Sequence, residues 1–474
     1  MLGGASQGLG KNNKWSLFTS SLSFALLVVA VILGDSRPAY TLPLPRVQAI
    51  PAFARKYGLP CSACHEAWPK LNNFGQTFKD NGYQLGNDRD APIWQQPTYW
   101  PIALRITPHW HRENTDHMGV YDPVTDSIVS RSVTTHGFDL TGMDMLTAGT
   151  LSKNISFLLV PSSDNTGAFH FESVNVRFSN LLNTSWLNVK VGKFELDNMV
   201  SEKRIMTLSA NGGMFQLYHF LPAGDYQTSG DPRFVGFGLG DNQLGVEVSG
   251  HSRNDYTRYS VALLSSNDGN VNLPTGRGYD TYLTFSQAFN AGSLGLQRVG
   301  AYTYIGQAPT NFPLDSNLNF IPGAGTGNEK FYRVGFFGLW YIKKLDFTTM
   351  FMHGSESAYL YSGTPSGQTL PFGAQDPKWN GGWIETHYTL NPQFILIQRY
   401  ELIRMSQQGN TGNPSNLGDM DALTFGYRYY PFMTSRAGFA FHNEYSRVRQ
   451  RGTGVLPGQD LTTNSVFAGL DFIF

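Results

Sequence analysis

From about residue 99 to its last residue the chain keeps a period of two, and that period restricts its fold more than any other feature. Trp100, Ile102, Leu104, Ile106 and Trp110 alternate with Ala103, Arg105, Thr107, His109 and His111. Leu187, Val189 and Val191 alternate with Asn188, Lys190 and Gly192, and Leu423, Phe425, Tyr427 and Tyr429 with Thr424, Gly426 and Arg428. Successive side chains of a strand point to opposite faces, so each stretch reads as a β-strand with one apolar face. A sandwich alternates too, and the connections decide between the two. Tight turns at Leu151-Ser152, Asn290-Ala291-Gly292, Lys343-Lys344 and Asn391 are interleaved with long loops near 113–133, 197–240, 309–329, 357–377, 405–419 and 451–462. Short turns on one side and long loops on the other are the habit of outer-membrane barrels, the short side being periplasmic. The pattern predicts an antiparallel transmembrane barrel of roughly sixteen strands over residues 99–474. An even count brings both ends of the barrel back to the short-turn side. The final strand sets Val466, Ala468, Leu470, Phe472 and Phe474 on one face and stops on the phenylalanine, as outer-membrane proteins do.

Composition agrees. Charged residues are 15%, against roughly 25% in a soluble domain, while aromatics reach 14% and glycine numbers 51. A mean hydropathy of −0.26 excludes a bundle of membrane helices. Thirty-five basic residues balance 35 acidic ones, which gives no basis for nucleic-acid binding. At the N-terminus Lys11 and Lys14 precede the apolar run Leu22 to Leu33, which Gly34-Asp35-Ser36 interrupts. These are the parts of a secretory signal peptide, placed at residues 1–40 with its cleavage between Gly34 and Ala49; a retained single-span anchor is the other reading.

Residues 46–95 form a separate segment built on Cys61-Ser62-Ala63-Cys64-His65, the C-x-x-C-H signature of covalent c-type haem attachment. Two thiols add across the two vinyl groups of one porphyrin, and the adjacent imidazole becomes an axial iron ligand. Cys61 and Cys64 are the only cysteines in the chain. A redox disulfide lacks the βαβ setting such motifs occupy, and a structural zinc site needs a fourth ligand. The expectation is one haem c, held by Cys61 and Cys64 with His65 proximal. Pro51 to Tyr57 reads as a short helix with Phe53 and Tyr57 on one face, and Trp68, Leu71, Phe74 and Phe78 recur at helical spacing as an apolar wall for the ring.

The stretch Pro51 to Tyr83, PAFARKYGLPCSACHEAWPKLNNFGQTFKDNGY, resembles the head of the fused outer-membrane monohaem cytochrome–porin proteins of iron(II)-oxidising bacteria. The matching positions are Pro51, Phe53-Ala54-Arg55, Gly58, Cys61, Cys64-His65, Pro69, Leu71, Phe74-Gly75, Phe78-Lys79 and Gly82-Tyr83, whereas Gln76 stands where the family often has arginine. The resemblance covers about 35 residues. It implies an α-helical haem head followed by an outer-membrane porin-like barrel. It also implies one-electron transfer across that membrane, from extracellular Fe(II) or another donor to a periplasmic carrier. A solute porin with a haem-bearing docking or gating head, and electron export to an extracellular acceptor, keep the same architecture.

The strand phase turns Arg105, His109, His111, Lys190, Glu385, His387, Arg399, Glu401, Arg428, His442, Glu444 and Asp471 inward. Between the signal peptide and His109 there is no methionine and no histidine besides His65, so the head carries no evident sixth iron ligand. His109 is the first candidate for the distal position, with His111 beside it and His117 and Met118 in the first outer loop. Loop acids Asp164, Asp197, Glu202, Asp225 and Asp231 offer oxygen ligands that suit Fe²⁺ at an outer mouth.

Overall fold

Sixteen strands close into one antiparallel barrel, and a small mixed segment precedes them. The computed structural model describes residues 52–67, 70–86, 90–95, 102–163, 167–197, 242–265, 279–309, 328–359, 364, 366–406, 419–433, 437–452 and 454–473. The expected signal peptide lies outside the described residues. The head consists of α1 (Ala52–Tyr57), a 3-10 turn (Cys61–Ala63), β1 (His65–Ala67), β2 (Lys70–Leu71) and α2 (Asn73–Asp80). The barrel strands are β3 (Ile102–Asp122), β4 (Ser127–Ser152), β5 (Ile155–Ser163), β6 (Phe169–Phe178), β7 (Asn188–Phe194), β8 (Gln243–His251), β9 (Thr257–Ser265) and β10 (Tyr279–Asn290). They continue as β11 (Leu296–Pro309), β12 (Asn328–Ile342), β13 (Leu345–Glu356), β14 (Lys378–Asn391), β15 (Phe394–Met405), β16 (Met420–Met433), β17 (Gly438–Gln450) and β18 (Leu461–Ile473).

Each barrel strand pairs with its neighbours in sequence, and β18 closes on β3 from Thr462 opposite Asp116 to Ile473 opposite Arg105. Closure removes every edge, which lipid demands because it offers no partner to an open N–H or C=O. The outward face is apolar in the same register around the wall. Val248 lies opposite Val261, which lies opposite Leu283. Phe285, Phe336, Phe351, Leu396, Phe425 and Val466 are likewise exposed. A soluble protein does not display so continuous an apolar belt, whereas a membrane-spanning barrel requires one.

The structure departs from the sequence reading in particular places. The expected loop 113–133 is strand: β3 runs for 21 residues and β4 for 26, paired out to Asp122 opposite Ser127. Tyr121, Ile128, Val129, Val133 and Thr134 favour extended backbone, but both faces of this projecting hairpin are largely open, so no apolar alternation marks it. Helical spacing from Trp68 onward also misleads. Leu71 belongs to a short ladder with His65, and α2 starts only at Asn73, where the Asn72 side chain accepts from the Gly75 N–H at 2.9 Å. Pro69 removes an N–H that a longer helix would need, and Trp68 is outside the described residues.

The inward phase holds. Glu385, His387, Arg399, Glu401, Arg428, His442, Glu444, Asp471 and His109 are all buried. The lumen is nevertheless not polar throughout. Phe194, Leu264, Tyr282, Tyr302, Tyr304, Phe331, Met350, Met352, Trp379, Trp383 and Ile403 form one buried cluster on the inner wall from β7 to β15. The two faces of the barrel should therefore answer differently to charge. Val261→Arg, at mid-strand on the lipid side, is expected to destabilise the barrel by about 2–4 kcal/mol, as measured by denaturant unfolding in vesicles. Thr303→Arg, opposite Leu283 on the same face, should act in the same direction.

Candidate functional site

The head seats in the barrel mouth that carries the short turns. Lys70, almost completely buried, pairs with Asp346 at the start of β13 and with Glu66 at 3.0 Å, and its Nζ lies 3.2 Å from His387 Nδ1 on β14. Ala67 packs against Ile395, Ile397, Tyr430 and Ala440 of β15 to β17. On the far side Lys56 Nζ donates to Thr150 Oγ1 at 3.3 Å. Arg177 from β6 donates to the Lys79 and Asp80 carbonyls, capping the C-terminus of α2 with a cation where the helix end is electronegative. Arg258 of β9 pairs with Asp80 at 3.1 Å and with Asp255, and the Thr77 hydroxyl donates to Asp255 Oδ2 at 2.9 Å.

Inside the head, Asn72 joins the motif to the helix. Its side chain caps α2 while its Nδ2 donates to Ala63 O at 3.0 Å and its N–H to Cys64 O at 2.9 Å. Gly75 sits so close that a Cβ there would lie 2.2 Å from Cys64 O, so only glycine lets helix and motif touch. Phe53 stacks on Tyr83 at 5.0 Å and meets Phe78 edge-on at 5.1 Å, while Tyr57 donates to Asp90 Oδ1 at 2.7 Å. Gly82 and Tyr83 both take left-handed backbone, at φ +70° and +61°, which turns the chain back after α2 against Ser179 of the wall.

Between head and wall lies a void of about 370 Å³, in the range of roughly 300–1,000 Å³ usual for small-molecule and cofactor sites. Cys61, Cys64 and His65 line it together with the apolar Phe53, Leu71, Phe74 and Phe78, so the structure brings the motif and its aromatic wall to one place. The barrel contributes Ala103, Leu146, Ala148, Leu158, Val160 and Ile473, with Arg105, Lys190, Arg177 and Arg258 among its charged lining. Neither cysteine is in a disulfide. Burial, and then the neighbouring Cys61, push the Cys64 thiol up to about 11; burial also raises Cys61. Among the described residues no group of three or more histidine, cysteine or acidic side chains converges as a metal site.

Other expected residues fall elsewhere. His109 points inward from β3 and stacks on Phe467 at 4.6 Å, with His111 at 6.3 Å, but it is not among the residues that line the void. His117 is on the projecting hairpin, its Nδ1 donating to Asp460 O at 2.8 Å, and Met118 is exposed there. Arg105 and Lys190 do line the void, paired with Asp471 and Glu247 respectively. Asp197, expected at an outer mouth, lines the void instead, where burial, Asp80 and Glu247 raise its carboxyl. Asp164, Glu202, Asp225 and Asp231 lie outside the described residues. Lys70 and Asn72 were not singled out by sequence, although an asparagine three residues before a helical Gly75 is a helix-start signal. Glu66 four residues earlier is the only local partner of Lys70 among the described residues; the others, Asp346 and His387, come from β13 and β14.

No protein-family profile matches the chain, and no curated protein matches it. Among solved structures, a loop-deleted OmpT, an outer-membrane protein of Vibrio cholerae, is 12% identical, covers 78% of this chain and 99% of its own, and has a TM-score of 0.47. The outer-membrane channel DcaP of Acinetobacter baumannii is 10% identical over 78% of this chain and 97% of its own, with a TM-score of 0.44. OprB of Pseudomonas putida is 9% identical over 78% and 94%, with a TM-score of 0.45. The first two are an outer-membrane protein and an outer-membrane channel. At such values the sixteen-stranded architecture rests on this chain's own strand pairing.

The anchors make the seating of the head measurable. Lys70→Ala leaves half-buried Asp346 with only His387 as partner and is expected to loosen the head by about 1–3 kcal/mol, seen as faster proteolysis within residues 52–95 while the barrel stays resistant. Seating should also fail in acid. Burial pushes the Asp80 carboxyl up, but Arg258, and after it Arg177, Lys79 and His251, outweigh burial and hold it below the usual carboxylate range. Its contribution is therefore complete above the unfolded value of about 4 and is lost as pH falls through the lower folded value. Pepsin cleavage of the head should rise below about pH 4 in the wild type, and Asp80→Asn should show cleavage at higher pH with that dependence removed.

Proposed function

We propose that this chain is an outer-membrane c-type cytochrome fused to a porin-like barrel, passing single electrons between the long-loop side and the periplasm. The observation that carries the reading is the position of Cys61, Cys64 and His65 on one aromatic-walled void inside the barrel mouth. The donor set and the void fit a haem: Cys61 and Cys64 would hold it through their thiols, and His65 would ligate the iron. The bound group supplies a one-electron couple. The chain's own residues do the rest. Asn72 and Gly75 fix the motif against α2, Phe53, Phe78 and Tyr83 exclude water on one side, and Lys70 with Arg177 and Arg258 keeps the assembly in the mouth.

Extracellular Fe(II) as donor and a periplasmic carrier as acceptor follow from the resemblance of Pro51 to Tyr83. Oxidising iron outside also keeps insoluble ferric product out of the periplasm. The barrel contributes a lipid-spanning wall with every strand paired. A second reading, a solute porin gated by the head, is favoured by the closed sixteen-stranded wall and its charged inner residues on β14 to β18.

The full chain, matured with haem and placed in liposomes with its long loops outward, separates these readings. A membrane-impermeant Fe(II) chelate added outside is expected to raise the reduced-haem absorption band within the mixing time of a stopped-flow experiment. Cys61→Ala/Cys64→Ala should lose the covalent pigment nearly completely. If the pigment is attached but not reduced from outside, the inward iron-oxidising direction is wrong. High ionic conductance in the haem-loaded wild type, unaffected by iron, would establish the porin reading instead.

A further inference from the structure

We infer that His251, at the end of β8, is the distal ligand of the haem iron, so that the group is held between an imidazole of the head and an imidazole of the barrel wall; this rests on the haem reading above. Among the described residues lining the void, His65 and His251 are the histidines, and none is a methionine. His251 is 5% exposed. Its Nδ1 lies 3.0 Å from Ser252 O, and a carbonyl only accepts, so the proton is on Nδ1. Nε2 is left with its lone pair, buried and without a hydrogen-bond partner. A buried acceptor with no donor is a standing cost in a folded protein and calls for an explanation. Iron explains it, because metal-bound histidines characteristically donate their other ring N–H to a carbonyl or carboxylate, which fixes tautomer and orientation.

The surroundings fit. Asp255 Oδ1 is 3.7 Å from Nδ1, on the side away from the lone pair. The charges packed nearby are already engaged with one another, Arg258 with Asp255 and Asp80, and Arg298 with the Asp255 carbonyl at 2.5 Å. The backbone is pinned from both sides: His251 N–H donates to Ser185 O at 3.1 Å, and Ser185 Oγ to His251 O at 2.8 Å. Next to it, a Cβ on Gly250 would meet Trp186 O at 2.3 Å, so only glycine lets the strand end pack this closely against the neighbouring turn. A ligand on a rigid strand end is what a preorganised metal site needs. His109 also has a buried, unpartnered Nδ1, but it does not line the void.

Two imidazoles would leave the iron no open position for oxygen or peroxide, which suits a carrier of electrons rather than a small-molecule catalyst. They would also set a lower potential than a histidine–methionine pair.

The haem-loaded full chain tests this spectroscopically. Alkaline pyridine first reports whether covalent haem is present, whatever its distal ligand; its absence would overturn the haem reading and this proposal with it. With haem present, the oxidised wild type is expected to show the low-spin near-infrared magnetic circular dichroism of bis-imidazole iron. High-spin iron, or a low-spin signature of another ligand pair, would overturn the assignment to His251 while leaving the haem in place. His251→Ala should lose the low-spin signal nearly completely and regain it on adding imidazole, with covalent haem content unchanged. His251→Met should replace it with the charge-transfer band of sulfur-ligated iron, and His109→Ala should leave it as in the wild type. A bis-imidazole signal that survives in folded His251→Ala places the ligand elsewhere. The wild-type spectrum decides even where that variant does not fold.

Discussion

Backbone pairing is the constraint from which the rest follows. A chain that crosses lipid has no water to satisfy its N–H and C=O groups, so its sheet has to close on itself, and β18 returns to β3. Closing sixteen strands leaves a space in the middle that no single layer of side chains fills. This chain fills it from both directions. The inner wall from β7 to β15 carries tyrosine, tryptophan and methionine where a water channel would carry polar groups. The head occupies the short-turn mouth, held around the ring by Lys56, Ala67, Lys70 and α2.

Those attachments are largely ionic, and their burial explains why they come as clusters. A lone charge at Lys70 or Arg258 would be costly to desolvate, and removing one partner of such a pair exposes that cost. Lys70 therefore meets both Glu66 and Asp346, and Arg258 meets both Asp80 and Asp255. The helix end adds a further term: Arg177 donates to the Lys79 carbonyl, which also takes the Gly82 N–H at 3.0 Å, and to the Asp80 carbonyl.

The strands were legible because lipid enforces the alternation: Val248, Val261 and Leu283 have to be apolar whatever lies behind them. The same logic hides the inner wall. Tyr282 beside Leu283, or Trp383 beside Ile384, is apolar on both faces, so hydropathy alone does not distinguish the lumen from the belt. The projecting end of β3 and β4 was missed for the opposite reason, having neither lipid nor core to impose a pattern. In the head, the cysteine motif was legible from chemistry and α1 from spacing, but the start of α2 depended on the Asn72 cap rather than on periodicity. The seating role of Lys70 was invisible because Asp346 lies far along the chain, and His251 because only the closed barrel brings it to the void. His109 drew attention only through its nearness in sequence to the motif, which a barrel does not translate into nearness in space.

Plug and site are one construction. The contacts that seat α2 against β6 and β9 also bring the face of the head that bears Cys61, Cys64 and His65 up to the barrel wall, and that wall supplies Arg177, Arg258 and His251. Releasing the head would therefore open the mouth and dismantle the site together. On the reading proposed above, a head that both fills the mouth and holds the haem would block solutes there while the site is intact. What holds the head in that mouth is the set of buried ion pairs of Lys70 and Arg258 rather than the covalent chain.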